Sequence, residues 1–260
     1  MKIYKFNHVF DHIEITLLEH FGNRPEYDKT LVVLGYNVLP SLDFLRQKYP
    51  GFKIVIYQLE QLAKNSPWVN KGCYEVLKSA DEIWDYDHEN MNWIETNYKL
   101  KVDKLLPLMY TKALERIPVI KEHECDIDVL FYGYIHERRA RYLIQLQHAM
   151  AGKFKVFDLY GVWEQDLDEY IRRSKIIVNI RSRDHGRQEQ PRIYYPVING
   201  RCVLSEKSPI NYFGDAIVES EYLKMVDKTM ELLKTGEWLD IAYQASEKYK
   251  IQSAKYEMLL

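Results

Sequence analysis

The sequence predicts an α/β protein built on parallel sheets, and three observations predict it. Short apolar runs rich in β-branched residues recur along the 260 residues, amphipathic helical segments separate them, and the order is strand, helix, strand, helix throughout. The expected strands are Ile3 to Phe6, Thr30 to Leu34, Lys53 to Tyr57, Glu82 to Trp84 and Lys104 to Leu106, then Asp128 to Tyr132, Phe154 to Phe157, Ile176 to Ile180 and Cys202 to Leu204. Helix starts are marked at Pro40-Ser41 before LDFLRQKY, at Asp87 before HENMNWIETNY and at Glu164 before QDLDEYIRRS, with polar residues at or near the capping positions.

A break falls after the fifth strand. Residues Lys112 to Asp126 are polar and contain Pro118, and a fresh apolar strand, DVLFYGY, starts straight after them. This reads as a linker between two α/β units, residues 1–115 and 126–215, expected to face each other across a cleft between the carboxyl ends of their strands. Residues 216–260 read as helices. Leu223, Val226, Met230 and Leu233 recur at three- and four-residue spacing as an apolar face, expected to pack back across the domains.

Composition narrows the function. The net charge is −2, no apolar run approaches the roughly 18 residues of a membrane span, and MKIYKFNHVF resembles a first strand rather than a signal peptide. A cytoplasmic protein without a membrane span is expected. Cys73, Cys125 and Cys202 are far apart and lack CxxC spacing, so neither a disulfide framework nor a zinc site is indicated.

Against that nearly neutral background, one stretch is strongly basic. From Arg172 to Arg201 eight Arg or Lys residues face two acids, Asp184 and Glu189. The stretch lies after the carboxyl end of one expected strand and before the amino end of a helix, where open α/β sheets bind ligands and helix amides attract anions. A phosphorylated ligand is the simplest partner. Arg181, Arg183, Arg187 and Arg192 are the candidate phosphate contacts, with Arg192 foremost because it sits just inside the helix behind Pro191. Gly133, where the chain turns after the first strand of the second unit, and Arg138 and Arg139 in the next helix form a second candidate diphosphate clamp. Glu189 either accepts ribose hydroxyls or caps the helix, and Glu206 ends the following strand at the same edge.

The segments FYGYIHERR, SKIIVNIRS and EQPRIYYPVINGRCVLSE, with YQLEQL and ADEIWDYDHEN upstream, resemble the GT-B glycosyltransferases, especially small bacterial and phage members. The resemblance covers most of the chain through loose motifs. It implies two Rossmann-like domains, the carboxyl-terminal one holding a nucleotide-diphosphate sugar donor and the amino-terminal one bringing the acceptor, with no cofactor or catalytic metal required. For a phage-encoded chain the place of action is the host cytoplasm. The R-x-x-E pattern of related families is Arg192-Ile193-Tyr194-Tyr195 here, so ribose recognition shifts to Glu189 or Glu206. Asp85-Tyr86-Asp87 has the D-x-D form of metal-dependent glycosyltransferases.

Loops after the first four strands supply the acceptor side. Displacement at an anomeric carbon needs a base for the acceptor hydroxyl; Asp11 is the first candidate, followed by His8 and Glu60. Tyr36, Asn37 and Tyr86 are the candidate acceptor contacts. A hydroxymethylated pyrimidine in DNA is one expected acceptor, with the tyrosines and Trp68 holding backbone and flipped base, and a surface glycan is another. Two rival readings use the same fold: a non-catalytic nucleotide or nucleic-acid binding module, and a sugar-nucleotide epimerase.

Overall fold

The computed structural model describes residues 1–150, 155–159, 161–162, 164–183 and 186–258. Phe154, expected to open a strand, and Asp184, one of the two acids in the basic stretch, lie outside the described residues. The chain forms two compact units, Met1–Ala113 and Leu114–Leu260.

The first unit holds strands β1 (Lys2–Lys5), β2 (Thr30–Leu34), β3 (Lys53–Gln58), β4 (Glu82–Asp85) and β5 (Lys104–Leu105), all parallel, in spatial order 1-2-3-4-5. Between them run α1 (Asp11–Phe21), α2 (Asp43–Lys48), α3 (Lys71–Lys78) and α4 (His88–Trp93), which continues into a π-helical turn, Ile94–Tyr98. Asp87 caps α4 by accepting from the Asn90 amide. The inner strands are buried on both faces, which is why they read as continuous apolar runs. Leu31, Val33, Ile54, Ile56 and Ile83 pack with Leu45, Val76 and Leu77 of α2 and α3. On the opposite face Trp84 meets Phe21 of α1 and Tyr27.

The second unit contains β6 (Ile127–Tyr132), α5 (Glu137–Met150), β7 (Val156–Leu159), α6 (Glu164–Arg172), β8 (Ser174–Asn179), α7 (Gln190–Ile198), β9 (Cys202–Glu206), β10 (Val218–Ser220), α8 (Met225–Thr235) and α9 (Glu237–Glu257). Its sheet is parallel in order 10-9-8-6-7. Progression reverses at β6, whose two neighbours are β7 and β8. That reversal is a topological switch point, and the crevice outside the carboxyl ends of β6 and β8 is where such sheets take ligands.

The carboxyl-terminal helices are built into this second unit. Met225 and Leu232 of α8 and Trp238 and Ala242 of α9 share a core with Val129 and Phe131 of β6 and Tyr142 and Leu146 of α5. The fully buried stripe of α8 is Met225, Thr229 and Leu232, and Val226, Met230 and Leu233 of the expected face pack beside it, partly buried against the same core. Thr229 is tolerated there because its hydroxyl donates to the Met225 carbonyl and pairs with the Tyr142 hydroxyl. Leu223 lies in the preceding 3-10 turn and is 89% exposed.

Candidate active site on the second sheet

Three loops meet at the switch point: the turn from β6 into α5, the segment from β8 into α7, and the end of β9. Gly133 leaves β6 with φ of +120°, a conformation costly for residues with a Cβ. A Cβ there would lie 2.6 and 2.7 Å from the Nη2 and Cζ atoms of Arg192, so the missing side chain gives the guanidinium its place. The far end of Arg192 also sits 2.8 Å from the Glu189 carboxylate.

Its main chain is held as well. Pro196 lies inside α7 and has no amide hydrogen, which leaves the carbonyl four residues back, that of Arg192, without its helical donor. The Tyr132 hydroxyl donates to that carbonyl at 2.5 Å. The end of β6 thereby positions the first turn of α7.

The neighbouring arginines are anchored by geometry of the same kind. Arg139, only 2% exposed, donates to the carbonyls of Ile180 and Tyr134 at 2.8 and 2.7 Å and pairs with Glu189. Arg138 makes a bidentate pair with Glu206, both bonds 2.5 Å, and lies 3.8 Å over the Tyr222 ring. Arg181 meets the same carboxylate at 2.6 Å and donates to the Gly186 carbonyl at 2.9 Å. Arg183 is exposed and Arg187 half-buried on the same β8–α7 segment.

Among the described residues, four arginines at this sheet edge, Arg138, Arg139, Arg181 and Arg192, share two carboxylates, Glu189 and Glu206, and Arg183 and Arg187 lie on the same β8–α7 segment. The imidazole of His136 feels this field. Desolvation together with the Arg139 and Arg183 charges holds its pKa below the usual histidine value, so it is neutral at pH 7. A concentration of preorganised guanidinium donors beside the amino end of α7 is suited to a polyanion.

The remaining cations of the basic stretch are placed elsewhere. Arg172, Arg173 and Lys175 lie at the amino end of β8 and pair with Glu124 and Glu169, Asp126, and Asp128 respectively. Arg201 is fully buried. Glu189 stands at the N-cap of α7 without making a side-chain capping bond, because its oxygens go to the arginines. Glu206 is fully buried beneath Arg138 and Arg181.

On the first unit, Asp11 and His8 follow β1 and meet at 3.2 Å. Burial of Asp11 favours the neutral acid, but hydrogen bonds from Lys5 and His8 outweigh it and hold the carboxyl below its usual value. Asp11 is therefore a carboxylate at neutral pH. Glu60 is half-buried after β3, its backbone amide and carbonyl both bonded to the Gln58 side chain. Asn37 is half-buried after β2, and its carbonyl faces the Cys73 thiol at 3.9 Å.

Tyr36 and Tyr86 depart from the expected stacking surface, being 1% and 2% exposed. The ring of Tyr36 fills the core beneath the loop after β2, and burial pushes its hydroxyl far above the usual tyrosine range. The Asp85-Tyr86-Asp87 run is also structural. Fully buried, Asp85 accepts from the Asp87 amide at 2.9 Å, from Gln58 at 2.9 Å and from Asn90 at 3.1 Å, tying together the loops after β3 and β4. Among the described residues no group of three or more His, Cys, Asp or Glu could hold a metal ion.

Two consequences are testable here. Gly133→Ala should drive Arg192 from its place and strain the turn, costing about 1–3 kcal/mol in urea unfolding and weakening pyrophosphate binding measurably. Asp85→Asn replaces an acceptor by an NH2 donor facing fixed donors, since the Gln58 and Asn90 oxygens already accept from the Glu60 and Leu62 amides and hold those side chains in orientation. A loss of about 2–3 kcal/mol in urea unfolding is expected; an unchanged midpoint would show that the network can rearrange.

Sequence reasoning missed Tyr132 and Tyr222. The first had a signal, since a proline four residues after Arg192 leaves a carbonyl in need of a donor. The second had none, because Tyr222 reaches Arg138 across 84 residues of chain.

No protein-family model matches this sequence, and no curated protein matches it at a significant level. The fold does have structural relatives. TarM aligns with a TM-score of 0.61 and 9% identity over 93% of this chain, which spans 56% of TarM. The Anabaena protein HepE, in complex with UDP and glucose, aligns with a TM-score of 0.60 and 8% identity over 89% of this chain and 76% of its own. A UDP-forming α,α-trehalose-phosphate synthase from Burkholderia xenovorans aligns with a TM-score of 0.57 and 11% identity over 96% and 76%.

These likenesses define the fold class: two parallel five-stranded sheets wrapped by helices, the GT-B architecture. No helix among the described residues is long and apolar enough to cross a membrane.

Proposed function

We propose that the protein is a glycosyltransferase that moves a sugar from a nucleotide-diphosphate donor to an acceptor hydroxyl, with the diphosphate held at the switch point of the second sheet. The observation that carries this reading is the set of four guanidiniums, Arg138, Arg139, Arg181 and Arg192, that share Glu189 and Glu206 in their ion pairs among the described residues, beside Gly133 and the amino end of α7. Support comes also from the fold, since one structure of this architecture holds UDP and glucose and another is named as UDP-forming.

The chemistry follows from charge. As the anomeric bond breaks, negative charge builds on the departing nucleotide diphosphate, and donors already fixed in place stabilise it without reorganising. Arg138, Arg139, Arg181 and Arg192 are the fixed donors; Arg183 and Arg187 add positive potential. These guanidiniums supply the charge that a divalent cation supplies in metal-dependent enzymes, so chelation by EDTA should leave the rate unchanged. On the first unit, Asp11 is the proposed base, a carboxylate ready to take the acceptor proton, with His8 and Glu60 the next candidates.

The decisive experiment is incubation with a panel of nucleotide sugars, with and without DNA carrying hydroxymethylated pyrimidines or a glycan acceptor, while release of nucleoside diphosphate is measured. Release on addition of either acceptor supports transfer and identifies the acceptor class. Tight nucleotide binding with no release under any condition would make the protein a binding module, and isomerised donor without release would make it an epimerase. Salt separates the acceptors too, because engagement of duplex DNA weakens steeply with ionic strength and that of a neutral glycan does not.

A further inference from the structure

We propose that this site reads the phosphoryl oxygens of its ligand and not the hydroxyls of the pentose, with Glu206 and Glu189 acting as positioning residues for the arginines. The inference rests on the nucleotide-sugar reading and concerns which part of the donor is recognised.

Glu206 has no capacity left for a ligand. An ionised carboxylate offers about four acceptor positions. Here four donors occupy them: Arg138 Nη1 and Nη2 at 2.5 Å each, Arg181 Nη2 at 2.6 Å, and the Arg181 backbone amide at 3.1 Å. The side chain is fully buried, so a ribose hydroxyl could reach it only by displacing a guanidinium. Glu189 is less filled: one oxygen accepts from Arg139, and the other lies 2.8 Å from Arg192 Nη1 as an ion contact without hydrogen-bond geometry. These are the two carboxylates among the described residues of this edge that the sequence offered for ribose, and each lies between two arginines.

That placement gives each carboxylate a mechanical task. Two guanidiniums repel one another at close range, and a shared carboxylate allows them to stand side by side in fixed orientation. Arg138 is held further by the Tyr222 ring, and Arg139 by the carbonyls of Ile180 and Tyr134. The remaining positive charge has no sugar-directed acceptor beside it in these pairs. It is matched by phosphoryl oxygens.

Isothermal titration of the full chain with inorganic pyrophosphate, UDP and 2′-deoxy-UDP, and with GDP and 2′-deoxy-GDP, tests the inference. The expected result is binding in which each ribo and deoxy pair agrees within about threefold. A ribose preference of about tenfold or more, the worth of one hydrogen bond, overturns it while leaving the nucleotide-sugar reading intact. Failure of the wild type to bind any of the five overturns both.

Glu206→Gln should weaken pyrophosphate, UDP and 2′-deoxy-UDP by the same factor, about tenfold, because it loosens arginines and removes no pentose contact. Should that variant not fold, Glu189→Gln provides the same comparison at a pair whose side chains are 18% exposed. Loss confined to the ribonucleotides, or unchanged pyrophosphate binding in a folded variant, excludes the positioning role.

Discussion

Replacing Arg192 with alanine is expected to lower nucleoside diphosphate release by about two orders of magnitude or more while leaving the fold intact. The size follows from the cost of removing one preorganised donor to developing negative charge, about 3 kcal/mol of barrier. Intactness follows from position. The Arg192 side chain is only partly buried, its carboxylate partner Glu189 keeps Arg139, and its backbone carbonyl remains bonded to Tyr132 whatever the side chain. Arg192→Lys should recover only part of the loss, because an ammonium keeps the charge without the planar set of donors. Stopped assays reading UDP or GDP release, with circular dichroism on the same samples, check both halves. Wild-type rates in the alanine variant would remove Arg192 from the mechanism.

The α/β alternation behind this prediction was legible because the central strands of parallel sheets are buried on both faces and show as unbroken apolar runs. Edge strand β10, Val218–Ser220, left no such mark: it is three residues long, half-exposed and carries Glu219. The expected α8 face does pack on the core through Val226, Met230 and Leu233, but a fully buried position, Thr229, was not legible because a buried threonine, satisfied by its own helix and by Tyr142, looks polar in sequence. At the site, the accumulation of arginine was visible, but composition could not separate the two ends of β8. Arg181 follows its carboxyl end and faces the switch point, whereas Arg172, Arg173 and Lys175 flank its amino end among acids. Nor could local spacing pair Glu206 with Arg138, which lies 68 residues away. Counter-ions that set a site's geometry are tertiary facts, and here Glu189 and Glu206 each pair with two arginines.

Arg201 carries the second large effect, and it is one of stability. Although it belongs to the basic stretch by sequence, it is 0% exposed and its partners are four backbone carbonyls: Ile171 at 3.2 Å, Asn199 at 2.7 Å, Gly200 at 3.1 Å and Pro118 at 2.8 Å. These come from the last turn of α6, the turn after α7 and the chain entering the second unit. One guanidinium therefore satisfies acceptors that the ends of two helices would otherwise leave buried and unpaired. Burial pushes its pKa down to about 10, which still leaves it charged at neutral pH. Arg201→Ala removes the donors and opens a cavity at once. A loss of about 4 kcal/mol and a fall of about 10 °C in the melting of the second unit are expected. Arg201→Met restores part of the volume but none of the donors, so it should recover only the cavity share. Urea unfolding of both variants separates the contributions; a change below about 1 kcal/mol in the alanine variant would mean that water takes over the carbonyls and that the buried guanidinium is dispensable for folding.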